Sequence, residues 1–86
     1  MRNANLIAHK GNQALVHLEG RRYPGLTIQG DSLKVLSELV DELRSSIESA
    51  RSDEIGSAMD ELGDSIHGLV SGYEEMMRSA GLSLPY

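Results

Sequence analysis

The feature that most constrains this fold is an eleven-residue run, YPGLTIQGDSL, at positions 23–33. Its Pro-Gly pair marks a turn, and Leu26 and Ile28 flank a polar residue with the alternation of a half-buried strand. The next glycine ends that strand, and Asp31 or Ser32 offers a side-chain oxygen to cap a following helix. The run therefore predicts a turn, a strand and a helix start in quick succession.

Three segments have the pattern of strands, over about 4–9, 13–19 and 23–29, with turn signals between them. Such short connections favour an antiparallel meander. Along the second segment the side chains alternate between two faces of the sheet, with Ala14, Val16 and Leu18 on one face and Leu15 and His17 on the other. The sequence does not decide which of the two faces is buried.

Two amphipathic helices are predicted after the strands. The first runs from about Ser32 to Ser49, and the second follows a break at Ser52-Asp53, where Asp53 offers a cap, and ends before Gly81. Each helix has one apolar stripe with steps of three and four residues. The first stripe consists of Leu33, Leu36, Leu39, Val40, Leu43, Ile47 and Ala50. The second consists of Ile55, Met59, Leu62, Ile66, Leu69, Tyr73, Met76 and Ala80. Joined near residue 52, the helices form a helical hairpin.

Glycines at positions 56, 63, 68 and 72 are unusual inside the second helix, because glycine is a poor helix former. Three interpretations stay open: close intramolecular packing, a docking face for a partner, or a bend or break of the helix at Gly63 or Gly68. The apolar tail over 82–86 either packs back on the domain or fits a groove of a neighbouring molecule.

Together these elements predict an α+β fold in the order βββαα, with a small antiparallel β-meander of about three strands followed by a helical hairpin. The 86 residues make a single domain, with the meander over 1–30, the hairpin over 31–81 and the tail over 82–86. A chain this short that lacks Phe and Trp builds only a small core. We therefore expect a partner chain, identical or different, to complete it.

The net charge of −5 is unevenly distributed. Residues 1–30 carry four basic side chains and one acidic one, whereas residues 31–86 carry four basic and twelve acidic ones. An acidic helical half repels nucleic acid and attracts basic proteins. The chain has no cysteine, and it shows neither a signal peptide nor a membrane-spanning segment. These features predict a cytoplasmic protein with no membrane partner.

No arrangement of residues predicts catalysis. His9 and His17 lie on adjacent predicted strands, which leaves room for them to approach each other, but the spacing places no third metal ligand near them and favours surface histidines. His67 follows Asp64 by three positions, which is an ordinary pair on a helix surface. There is no phosphate-binding glycine loop and no nucleophile elbow. The sequence therefore predicts a protein that is not an enzyme and has no metal or cofactor.

Two groups of residues are predicted to contact a partner. The first is an acidic set on the second helix, because carboxylates on a water-facing surface attract basic proteins. It consists of Asp60, Glu61, Asp64, Glu74 and Glu75. The second is Arg21-Arg22-Tyr23 near a turn, since Arg and Tyr are enriched at protein interfaces.

Residues 11 to about 40 resemble a family of small, functionally uncharacterised bacterial proteins. The resemblance lies in a G-N-x-A-x-V segment over 11–16, a G-R-R-[FY]-P-G segment over 20–25 and a Q-G-D-S-L segment over 29–33. Proteins of this kind resemble the immunity members of bacterial toxin–immunity pairs. The run P-G-x-x-x-Q-G-D-[ST]-L over 24–33 also resembles antitoxins of the HicB type. That resemblance implies a meander with a packed helix that binds a small basic toxin ribonuclease, although here no returning strand or DNA-binding tail follows.

These observations predict a non-enzymatic binding protein that neutralises a basic partner, a toxin or effector, by occlusion, as a bacterial immunity protein or antitoxin does. The alternative is a homo-oligomeric structural or regulatory protein, such as a homodimer paired through the second helix. A phage-encoded inhibitor of a host nuclease is a variant of the binding hypothesis, since an acidic surface can mimic nucleic acid.

Overall fold

The structure, a computed structural model, describes residues 3–86, and its elements follow the predicted order. Three strands come first: β1 (Ala4–Lys10), β2 (Gln13–Leu18) and β3 (Gly25–Ile28). Two helices follow: α1 (Gly30–Glu48) and α2 (Ser52–Ser79). The α+β fold in βββαα order is therefore confirmed. Arg2, which contributed to the charge of the first thirty residues, lies outside the described residues.

The strands form an antiparallel sheet in the order β1-β2-β3. Strands β1 and β2 are joined by a two-residue turn in which Gly11 has a φ of 58°. Glycine adopts this left-handed backbone without the strain that a Cβ would cause, so the turn is tight and the hairpin register is set. The register shifts between Leu6 and Ala8, and this bulge at Ile7 changes the faces of the β1 side chains.

The chain divides into two compact units. We call residues 3–29 with Leu69–Tyr86 the sheet unit, and Gly30–Gly68 the hairpin unit. The second part of α2 and the tail therefore belong with the strands, whereas the sequence grouped all of α2 with the helical hairpin.

The core of the sheet unit answers which face of β2 is buried. Leu15 is fully buried and packs in one cluster with Met76 and Met77 of α2. Ala8 and Leu26 pair with Leu15 from the two neighbouring strands and pack against the same cluster. Tyr73 and Leu84 complete it, so the apolar tail packs back onto its own unit. The Leu15 face is thus the inner face, and Leu18 on the other face is half exposed.

The C-terminal end of α2 is as predicted. Gly81 has a φ of 72° and donates its backbone N–H to the carbonyl of Arg78, while Leu82 donates to the carbonyl of Met77. This pair of bonds is a Schellman motif, which satisfies carbonyls that the helix leaves unpaired. The same pair of bonds ends α1, but there the left-handed residue is Ala50, with a φ of 54°.

Several predicted boundaries were wrong by one or two residues. Strand β3 is shorter than 23–29 because Tyr23 and Pro24 lie outside the ladder. Helix α1 begins at Gly30, so Asp31 lies inside the first turn and accepts a hydrogen bond from the N–H of Ser32 rather than preceding the helix as a cap. The break between the helices lies over 49–51, so Asp53 is the second residue of α2 and not its cap.

The apolar stripes are less buried than predicted in the hairpin unit. The only buried residue of α1 is Ser46, whose hydroxyl donates to the carbonyl of Glu42. Leu36, Leu39 and Leu43 of the predicted stripe are half-buried, together with Ser32. The other members, Leu33, Val40, Ile47 and Ala50, are exposed. On α2, Ala58 is buried, whereas Met59 and Ile66 of the predicted stripe are exposed.

Helix α2 is continuous through its glycines, so the predicted alternative of a break at Gly63 or Gly68 is wrong, and the alternative of a bend stays a prediction. Gly72 alone is buried, and its position explains why it lacks a side chain. A Cβ there would overlap the Oε1 atom of Gln13. Close packing of helix on sheet is therefore the role of this one glycine, while open space surrounds the Cβ positions of Gly63 and Gly68.

Candidate interaction surfaces

The hairpin unit is strongly acidic. It carries ten acidic and three basic side chains, a net charge of −7. Asp60, Glu61 and Asp64 are exposed on α2, as predicted from their spacing. Within the part of the chain that the structure describes, no ion pair or side-chain hydrogen bond engages them. Their charge is consequently available to an external group.

A depression beside the link between the helices is lined by both of them. Its volume is about 470 Å³, and its walls are Glu42, Ser45, Ser46, Asp53, Glu54 and Ser57. Arg51 pairs with Glu54 at 3.1 Å and offsets part of this charge. Across residues 3–86 there is no group of three or more His, Asp or Glu side chains arranged to hold a metal ion.

An apolar groove runs along α1. It has a volume of about 500 Å³ and is lined by Val40, Leu43, Arg44, Ile47 and Glu48. Leu33, Val40 and Ile47 are 55%, 42% and 57% exposed. We did not predict this groove from the sequence, which placed all three residues in one buried stripe. The sequence did contain one signal: Leu33, Val40 and Ile47 recur every seven residues, and each follows by one position a buried or half-buried residue of α1.

The other two predicted acidic residues, Glu74 and Glu75, lie in the sheet unit and make internal contacts. Tyr86 donates its hydroxyl to Glu74 at 3.1 Å, which fastens the tail to α2. Lys10 donates to Glu75 in an exposed ion pair that joins β1 to α2. This hydrogen bond, and then the charge of Lys10, holds the pKa of Glu75 below its ordinary value of 4.5. Their predicted contact with a partner stays a prediction.

The segment Arg21-Arg22-Tyr23 lies in the ordered loop between β2 and β3. The carbonyl of Arg21 bonds the Nε2 atom of His17 at 2.6 Å, and Gly20 provides a positive φ of 84° for the turn. At the other end of the loop, Tyr73 donates its hydroxyl to the carbonyl of Pro24 at 2.8 Å. These bonds hold the exposed basic pair in place.

At the tip of this loop, the guanidinium carbon of Arg22 lies 5.3 Å from the centre of the Tyr23 ring. This distance is within the range of a cation–π contact. The loop therefore exposes the guanidinium group of Arg22, which stacks on the ring of Tyr23.

His9 and His17 do not approach each other. His17 pairs with Asn5 and lies on the inner face of the sheet, whereas His9 pairs with Ala14 on the outer face. The two-residue turn Gly11-Asn12 pairs Lys10 with Gln13 and therefore His9 with Ala14, whose side chain lies on the face opposite to that of His17.

Neither α1 nor α2 combines the length and the continuous apolar character that a membrane-spanning helix requires. A search of curated proteins and of solved structures found no match to this chain. A family model does match over residues 1–86, and it describes a family of unknown function, DUF6959. The chain belongs to that family.

Proposed function

We propose that this protein is a non-enzymatic binding protein that neutralises a basic partner protein by occlusion, as bacterial immunity proteins and antitoxins do. The observation that carries this proposal is the incomplete burial of α1, in which no apolar residue is buried. Apolar surface that a monomer leaves exposed in a continuous stripe is characteristic of an interaction site.

The charge of the hairpin unit favours a basic protein as the partner. A net charge of −7 on 39 residues raises the local concentration of cationic surfaces and speeds encounter. In this proposal Asp60, Glu61 and Asp64 steer the partner, and the apolar stripe supplies affinity once water is excluded. Arg22 and Tyr23 form a second patch for an acidic or aromatic group on the partner.

The neutralising role draws further support from the sequence resemblance to immunity proteins and HicB-type antitoxins. In both classes a small protein covers the active surface of a toxin and needs no chemistry of its own.

The proposal is tested by isolating the tagged protein from its native host and identifying what accompanies it in stoichiometric amount. The expected companion is a basic protein that arrests growth when expressed alone and is tolerated when co-expressed with this chain. Reversing the charge of Asp60, Glu61 and Asp64 together should abolish the protection. Protection that persists in this triple variant would contradict the assignment of the acidic face.

Homo-oligomerisation is a second candidate, favoured by the exposure of Met59 and Ile66 in the predicted apolar stripe of α2. In that case the stripe would pair with its own copy. Sedimentation would then detect a dimer at nanomolar concentration, and Met59→Asp would dissolve it. A monomer under these conditions would remove this candidate.

A further inference from the structure

We infer that the element bound by the hairpin unit is a basic amphipathic α-helix, seated on the apolar groove of α1 and the exposed apolar stripe of α2. This inference rests on the proposed function and specifies the partner's binding element. It assigns the affinity to Leu33, Val40, Ile47, Met59 and Ile66, none of which is among the charged residues predicted from the sequence.

The two stripes lie on the same side of the hairpin. On α1, Val40 comes one position after the half-buried Leu39, and Ile47 comes one position after the buried Ser46. On α2, Met59 comes one position after the buried Ala58. One residue is a rotation of about 100° around a helix, in the same sense in both cases. In a hairpin of antiparallel helices, equal rotations from the contact line bring side chains out on the same side.

The exposed stripe of α1 is long enough to bind a helix. Fourteen residues separate Leu33 from Ile47, which corresponds to about 21 Å along α1, or roughly four turns of a partner helix. Gly56 and Gly63 are spaced one heptad apart on the same side of α2, with open space at their Cβ positions. The absence of side chains at these positions lets a partner approach the backbone of α2 closely.

A helix fits this surface better than an extended segment does. The backbone groups along the middle of α1 and α2 are bonded within the helices, so a partner backbone that settles there finds no donors or acceptors. A helical partner satisfies its own backbone hydrogen bonds, whereas an extended one would leave them unpaired as water is excluded. Apolar anchors spaced by seven residues match those of an amphipathic helix lying in a groove.

The margins of the groove select a basic helix. Asp41 and Glu48 of α1 and Asp60 of α2 lie beside the stripes, against Lys34 next to Leu33 and Arg44 in the groove wall, and the hairpin unit as a whole carries a net charge of −7. A second copy of this chain would place the same carboxylates opposite one another, which disfavours self-pairing. A partner helix with Lys or Arg beside its apolar face meets opposite charges instead.

The test uses an 18-residue capped peptide that has leucine at heptad positions a and d, lysine at e and g, and alanine elsewhere. Two matched peptides serve as controls, one with glutamate in place of lysine and one with the lysine version scrambled to remove amphipathicity. Binding is measured by fluorescence anisotropy and mapped by NMR. We expect the lysine peptide to bind with shifts at positions 33, 40, 47, 59 and 66, and both control peptides to bind about tenfold more weakly or worse.

Variants of the protein separate this groove from general attraction to an acidic surface. Val40→Asp or Ile47→Asp should weaken binding of the lysine peptide about tenfold or more. Leu6→Asp, at a residue of the sheet unit that is 64% exposed, should leave it unchanged. Circular dichroism of each variant checks the fold. If either Val40→Asp or Ile47→Asp fails to fold, the other one provides the test.

Equal binding of the lysine and glutamate peptides, or equal effects of Val40→Asp and Leu6→Asp, would overturn the inference. A dimer of this chain that Val40→Asp dissolves would overturn it in favour of a second copy. If the native partner is lost on charge reversal at 60, 61 and 64 but kept by Val40→Asp, the proposed function stands and this inference fails.

Discussion

Replacing Ala50 by glycine should stabilise the protein, although most helix-end substitutions do the opposite. Ala50 ends α1 with a φ of 54° and is the only described non-glycine residue in the left-handed region. A left-handed conformation costs an alanine about 1–2 kcal/mol relative to glycine. The greater freedom of glycine in the unfolded chain costs about 0.4–1 kcal/mol. The methyl group of Ala50 is exposed, so its removal costs no packing.

The expected net gain is about 1 kcal/mol, or a rise in Tm of about 4–8 °C for a domain of this size. Urea denaturation followed by circular dichroism measures the free energy of unfolding, and thermal scans measure Tm. Ala50→Asn should rank between glycine and alanine, and Ala50→Val should be the least stable, because a β-branched residue tolerates a positive φ worst.

Ala80→Gly is the matched control, because Ala80 is also an exposed alanine at a helix C-terminus but has no positive φ. This change should leave stability unaltered or reduce it. If Ala50→Gly destabilises the protein as much as Ala80→Gly does, the left-handed geometry at the end of α1 is not the source of strain.

Two further predictions concern contacts in the sheet unit. Gly72→Ala should gain the helix propensity of alanine, about 1 kcal/mol, only when Gln13 is also changed to Ala, because the added Cβ otherwise displaces the glutamine amide. A double-mutant cycle of Gly72→Ala and Gln13→Ala, followed by urea denaturation, measures this coupling. The prediction would be refuted if the two changes were additive and Gly72→Ala alone stabilised the protein as much as the control Gly68→Ala does. The ion pair of Glu75 with Lys10 should stabilise the fold at neutral pH, because the folded-state pKa of Glu75 is lowered. That stability is present above the unfolded pKa of 4.5 and is lost as pH falls through the lower folded value. The free energies of unfolding of wild type and Glu75→Gln should therefore converge in acid. A difference between them that stays constant down to pH 2 would contradict the pairing.

Local signals in the sequence predicted the elements of this fold well. Alternation over β2, the turn glycine at position 11 and the C-terminal glycine at position 81 each have a direct backbone cause, and the structure confirms all three. The start of α1 was less accurate, because Asp31 and Ser32 are both acceptable caps and the helix extends past them to Gly30.

What the sequence did not predict depends on contacts between distant residues. Periodicity placed Val40 and Ile47 in the buried stripe of α1, but both are exposed, since the apolar spacing alone does not say which side of the helix is covered. The bulge at Ile7 is likewise marked by no residue pattern. Gly72 was distinguishable from the other glycines of α2 only once its approach to Gln13 was visible.

The central claim is that the acidic hairpin unit binds a basic partner protein. Its most direct test is calorimetric titration of the co-purified partner at several salt concentrations, with wild type, with Asp60, Glu61 and Asp64 changed to Asn, Gln and Asn, and with all three changed to Lys. The account predicts that affinity falls stepwise across the three proteins and that its salt dependence falls with it. One affinity and one salt slope for all three proteins would contradict the account.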